Sequence, residues 1–138
     1  MAEATPEATR HPRPISPHLS IYSPPINMVM SIVHRLTGVA LYFGTLLLAW
    51  WLIAAATGPA YFNFVNGLLA TLPGKLVLLG YTWALMHHML GGIRHLIWDT
   101  GRGFNLSTVN FLSWGTIIGS LGLTAAIWAG ALKMKGLL

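Results

Sequence analysis

The chain has 138 residues, of which 54% are hydrophobic and 8% charged, with a formal net charge of +5 and no cysteine. A soluble domain of this size carries about 25% charged residues, so there is too little polar surface here for a water-facing globule, and much of the surface belongs in lipid. The positive balance reflects how few acids there are (Glu3, Glu7, Asp99) rather than a basic cluster, which argues against nucleic acid; the lack of cysteine excludes disulfides, iron–sulfur ligation and covalent c-type haem attachment.

Residues 1–27 read as a polar tail rich in proline (Pro6, Pro12, Pro14, Pro17, Pro24, Pro25). No apolar core follows the start, so it does not read as a secretory signal. The remainder, 28–138, reads as a membrane anchor domain. Its first apolar segment covers about 28–56. Thr57-Gly58-Pro59 and Leu72-Pro73-Gly74 then bracket a connection in which 61–69 fit a short interfacial helix. The second apolar segment covers about 74–98. After a turn containing Gly101 and Gly103, the third covers about 109–132. A hydrocarbon core takes about 20 helical residues. A spanning segment must also satisfy its own backbone. The expected fold is therefore all-α, an integral membrane protein with three transmembrane helices.

Arg10, Arg13, Arg35, Arg94 and Arg102 lie toward the tail side, against Lys75, Lys133 and Lys135 on the other. The positive-inside rule then places the N-terminus in the cytoplasm of a bacterium, or in the matrix of a mitochondrion.

Intramembrane ionisable residues demand partners. Ser31, His34, Arg35 and Gly38 share one face of the first helix, at i, i+3, i+4 and i+7. His88, Gly92, His95 and Asp99 share one face of the second, at i, i+4, i+7 and i+11. The two helices run antiparallel, so these groups gather at the tail-side surface. His88 is seven residues from His95, about 10 Å deeper.

A deep imidazole suits axial ligation of haem iron. Gly91 and Gly92 remove side chains beside it. His34, Arg35, Arg94 and His95 suit the anionic propionates. Ser31 and Arg35 offer donors to quinone carbonyls near water. Each residue also has a plainer reading. His88 could bond a neighbouring helix, and Ser31 could pack between helices. Arg35 and Arg94 could snorkel to the interface. His87, about 100° from His88, suits a structural or partner contact. The functional reading rests on the joint geometry.

Three motifs, in order, resemble one family. Ser31-Ile-Val-His34-Arg35-Leu-Thr-Gly38 resembles the S-x-x-H-R-x-[ST]-G signature of succinate dehydrogenase cytochrome b subunits. His88 to Asp99 resembles the family's H-x-x-x-G-x-R-H-x-x-x-D signature, and Arg13-Pro-Ile-Ser-Pro-His18-Leu-Ser-Ile-Tyr22 its R-P-x-S-P-H-L-x-I-Y opening. The resemblance implies the larger membrane anchor of respiratory complex II, half of a heterodimeric haem-binding bundle. It implies haem b with His88 as axial ligand, and His34, Arg35, Arg94 and His95 in the propionate region. It implies a ubiquinone site lined by Ser31 and Arg35, with Ile32 as an apolar wall. The partners implied are a second small anchor, an iron–sulfur subunit and a flavoprotein, all set in membrane lipid.

Succinate oxidation itself would fall to those partners, since this chain has no flavin fingerprint and no cysteine. His87 shares a helix with His88, and His34 lies near the surface. The second axial ligand is therefore expected from the other anchor. The competing readings are a haem-free quinone-binding anchor of a fumarate reductase, a purely structural tether, and a proton-coupled transporter, for which three helices without a repeat are a poor basis.

Overall fold

The structure, a computed structural model, describes residues 22–136. The expected leader motif lies outside the described residues, apart from Tyr22. Four helices follow one another: α1 Ile26–Thr57, α2 Pro59–Ala70, α3 Leu72–Asp99 and α4 Leu106–Met134. The three long ones are long and apolar enough to cross a membrane, with mean hydropathies of 2.0, 1.3 and 1.5 over their best windows. The all-α architecture with three spanning helices is the one the composition demanded.

Local chemistry sets the helix ends. Pro25 stands in extended backbone just before α1. Gly58 has φ 137°, a value side chains oppose, and so breaks α1 from α2. Pro59 then opens α2, where its missing N–H leaves nothing unsatisfied. The Thr71 side chain accepts from the Gly74 N–H at 3.3 Å and caps α3. Asn105 does the same for α4, accepting from the Thr108 N–H at 2.9 Å. That cap starts α4 at Leu106, ahead of the position near Val109 where the apolar run alone would begin it.

The antiparallel order puts the start of α1, the end of α3 and the start of α4 at one end of the bundle. The end of α1, all of α2, the start of α3 and the end of α4 meet at the other. The α3 helix is central and packs on α1, α2 and α4.

The interior is more polar than the exterior. The buried apolar side chains among the described residues are Met30, Ala54, Val65 and Ala84. The buried polar ones are Thr37, His87, Arg94, Ser113, Thr116, Ser120 and Thr124. Tyr42, Phe43, Leu36, Ile118 and Phe111 all face outward. In lipid no hydrophobic gain separates inside from outside, so helices meet through small and hydrogen-bonding residues. Ser113, Thr116, Ser120 and Thr124 make one such stripe, and they are the buried residues of α4. Each hydroxyl donates to a carbonyl of its own helix, at 2.7–2.9 Å. On the other seam, a Cβ at Gly44 would collide with the Tyr81 ring.

Candidate cofactor and quinone site

The α1–α3 seam brings together three of the expected histidines. The His34 and His88 rings stack with centroids 4.1 Å apart and planes 15° off parallel. His95 meets the other side of the group, edge-on to His34 at 5.1 Å. Glycines make the approach possible. A Cβ at Gly91 would collide with the His34 ring, and one at Gly38 would stand 3.1 Å from His88 Cε1.

The proton on His88 can be assigned from its partners. Its Nδ1 lies 3.2 Å from the His34 carbonyl oxygen. A carbonyl only accepts, so Nδ1 carries the hydrogen. Thr37 Oγ1 donates to that same carbonyl at 2.9 Å. Its oxygen lies 3.3 Å from His88 Nδ1 and shares the N–H. In the neutral ring Nε2 is then a lone-pair donor. A metal-binding histidine needs this arrangement: one nitrogen anchored to a carbonyl, the other free for the metal.

The paired glycines have different uses. Gly91 is buried and its space is filled by His34. At Gly92 nothing lies within 4 Å of where a Cβ would be. Of the two glycines, it is Gly92 that leaves open space beside His88.

His87 faces the other seam. It is 2% exposed, and its Nδ1 lies 3.3 Å from Ser120 Oγ. The Ser120 hydrogen goes to the Ile117 carbonyl at 2.9 Å, so here too Nδ1 is the donor. Trp83 packs against the His87 ring at 5.3 Å. Arg94 is also drawn toward α4. It is 3% exposed and donates through Nη1 to Ser113 Oγ at 3.2 Å. The Ser113 hydrogen is shared between the Val109 carbonyl and Asn27 Oδ1, 2.8 and 2.9 Å away, which ties α1 into the same network. The Arg94 guanidinium stands 5.1 Å from the centre of the Trp98 ring. Its hydrogen bond is thus to α4, away from the His34–His88–His95 group.

Ser31 is half-buried, while Ile32, Arg35, His95 and Asp99 are exposed. Sequence reasoning passed over Thr37 and the α4 stripe. The stripe had a signal, hydroxyls recurring at 113, 116, 120 and 124. Thr37 had only its place beside Gly38.

Set beside known proteins, residues 9–128 match the model of the succinate dehydrogenase/fumarate reductase transmembrane subunit family. The chain belongs to this family. It is 43% identical over 116 residues to the succinate dehydrogenase cytochrome b556 subunit of Rickettsia felis, covering 84% of this chain and 90% of that one. The corresponding Paracoccus denitrificans subunit is 39% identical over 117 residues, covering 85% and 90%. The mitochondrial cytochrome b560 subunit of Bos taurus is 36% identical over 119 residues, covering 82% and 70%. The resemblance carried by the three motifs thus holds at the level of the family. The chain is the transmembrane anchor of an oxidoreductase complex of the succinate dehydrogenase class.

Proposed function

We propose that this anchor binds haem b through His88 Nε2 and forms part of the site where ubiquinone is reduced. The observation that carries the reading is the fixed His88 tautomer, with Nδ1–H held by the His34 carbonyl and Nε2 left as a ligand. The residues present fit the group. The space at Gly92, one turn from His88, is open on this chain's side to a flat ring, and His34 Nε2 is buried with no hydrogen-bond partner among the described residues. His34, Arg35 and His95 would hold the propionates. Arg94 would join them only by giving up Ser113.

When bound, haem b supplies a one-electron carrier inside the membrane. His88 would hold it, and His34 would support the His88 ring from one face. A second small anchor would supply the other ligand, because His87 is turned to α4. The iron–sulfur and flavoprotein subunits complete the assembly, and succinate oxidation belongs to them. Ser31 and Arg35 would donate to the quinone carbonyls at the tail-side surface, with Ile32 against the ring. This surface faces the bacterial cytoplasm or the mitochondrial matrix. The relatives cited are named as cytochrome b subunits, which disfavours the haem-free anchor of a fumarate reductase.

The quinone assignment is tested on the assembled complex. Ser31→Ala removes one hydroxyl and little volume, and leaves a carbonyl short of a donor, at about 1–3 kcal/mol. Arg35→Lys keeps charge but loses the planar fork. Both variants are expected to keep haem and to oxidise succinate normally with an artificial acceptor that bypasses the quinone. Both are expected to slow about 10-fold or more with ubiquinone. An unchanged ratio of the two activities in both variants would move the quinone site off this face of α1.

A further inference from the structure

At the tail-side end of the bundle three helices meet on one hydroxyl. Ser113 of α4 is fully buried, and its oxygen accepts from Arg94 Nη1 of α3 at 3.2 Å. Its hydrogen is shared between the Val109 carbonyl and Asn27 Oδ1 of α1. A hydroxyl that accepts from a cation is polarised and donates more strongly in its turn. The start of α1 needs that hold. It begins after Pro25 with no side-chain cap and no acid in its first turn, and uncapped helix ends fray. Met30 is the one residue buried in its first two turns. Ser31 follows Asn27 by one turn, on the same side of the helix.

Arg94 is a costly way to join two helices. Its guanidinium is 3% exposed, and it has one neutral hydroxyl and the face of Trp98 in place of water. No carboxylate is buried with it among the described residues. Deeper in the same seam His87 and Ser120 join α3 to α4 without a full charge. What the charge adds at Ser113 is strength in the bond passed on to Asn27. We propose that Arg94 is a positioning residue for quinone reduction. Acting through Ser113 and Asn27, it fixes the turn of α1 that presents Ser31, a role that rests on the reading of Ser31 as a quinone donor. Placement matters at this scale, since a displacement of about 1 Å at a reacting group can cost about 100-fold. Ser31 is a single donor, so the effect of losing its support is bounded by that of Ser31→Ala.

The test is run on the assembled complex, with ubiquinone and in parallel with an artificial acceptor that bypasses the quinone. Asn27→Leu removes the acceptor oxygen at a half-buried position. It is expected to raise KM for ubiquinone about 5-fold, with artificial-acceptor turnover and the haem spectrum unchanged. Asn27→Asp keeps an acceptor oxygen and is expected to restore the wild-type KM. Arg94→Met keeps the length without the donor and should raise KM in the same direction. Each variant is then combined with Ser31→Ala. With the donor already gone, neither Asn27→Leu nor Arg94→Met should add to the loss. If Ser31→Ala alone leaves ubiquinone turnover unchanged, the quinone reading falls and this proposal falls with it. If Ser31→Ala impairs turnover while Asn27→Leu matches wild type, the positioning role alone is overturned. The same loss from Asn27→Leu with and without Ser31 would overturn it too, assigning the network to stability. A haem band shifted by Arg94→Met at an unchanged KM would return Arg94 to the propionates and equally contradict it.

Discussion

His87 and His88 are neighbours on one helix, yet they serve two different seams. His87 turns to α4 and donates to Ser120 in a fully buried contact. His88 turns to α1, is only half-buried, and donates to a backbone carbonyl. The α3–α4 seam is closed by a stripe of hydroxyls and by Arg94 on Ser113. The α1–α3 seam is closed by stacked rings over glycines, and along Gly92 it stays open. The same imidazole is thus a structural bolt in one seam and, in our reading, a metal ligand in the other. What separates the two is the partner of Nδ1 and the space left beside the ring.

Glycine substitutions should break this comparison most strongly. Gly91→Val places a branched side chain where His34 stands. Overpacking of this kind typically destabilises by about 1–3 kcal/mol, and here it also pushes His34 off His88. Thermal unfolding of the complex should shift down and haem per complex should fall. At Gly92 an added Cβ meets no atom of the described residues, so Gly92→Val should be tolerated within this chain. The anchor should still assemble with its partners while haem content falls, because the strip now holds a side chain. Normal haem content in Gly92→Val would show that this strip is not where haem lies.

At His87 the α3–α4 seam should respond in stability alone. Ser120→Ala leaves the buried His87 N–H without an acceptor, at about 1–3 kcal/mol. Adding His87→Leu removes the donor as well and should recover most of that loss. A double-mutant cycle on the unfolding midpoint measures the coupling. If the double variant is as unstable as the sum of the single ones, the pair is not coupled as described.

The smallest effect is expected at Thr37. Thr37→Val keeps volume but deletes the oxygen that shares the His88 N–H. The His34 carbonyl remains, so the ligand should stay in place. It becomes slightly less basic, and the haem potential should rise. A change of about 1 kcal/mol corresponds to about 40 mV for one electron. A redox titration of the haem band checks this, and a fall in potential would contradict it.

The fold was legible because a membrane span is a contiguous signal. Nearly uncharged runs before Thr57, after Gly74 and after Ser107 leave little choice of structure. The short helix α2 was legible from the Gly58-Pro59 and Pro73-Gly74 breaks on either side. The gathering of His34, His88 and His95 followed from helical periodicity and antiparallel order. The division of labour between Gly91 and Gly92 did not. It depends on how α3 is rotated against α1, and that rotation is set by side chains on both helices. Arg94 differs. The membrane side it shares with the histidines groups it with them, but it stands seven residues after His87 and so shares that residue's face of α3, where it donates to Ser113. Ser113 belongs to a hydroxyl stripe whose spacing was plain, although in water such residues would read as a solvent-facing surface. Only the exchange of inside for outside in lipid makes them a packing face.

The most direct test compares the two histidines in the assembled complex. Reduced-minus-oxidised spectra are recorded for His88→Ala and His87→Ala, with assembly confirmed by succinate oxidation using an artificial acceptor. His88→Ala should lose the haem b band or hold it weakly, because the one ligand assigned to this chain is gone. His87→Ala should keep the band at wild-type position and show only a lower unfolding midpoint. A band abolished in His87→Ala and preserved in His88→Ala would contradict the assignment of the ligand to the α1–α3 seam.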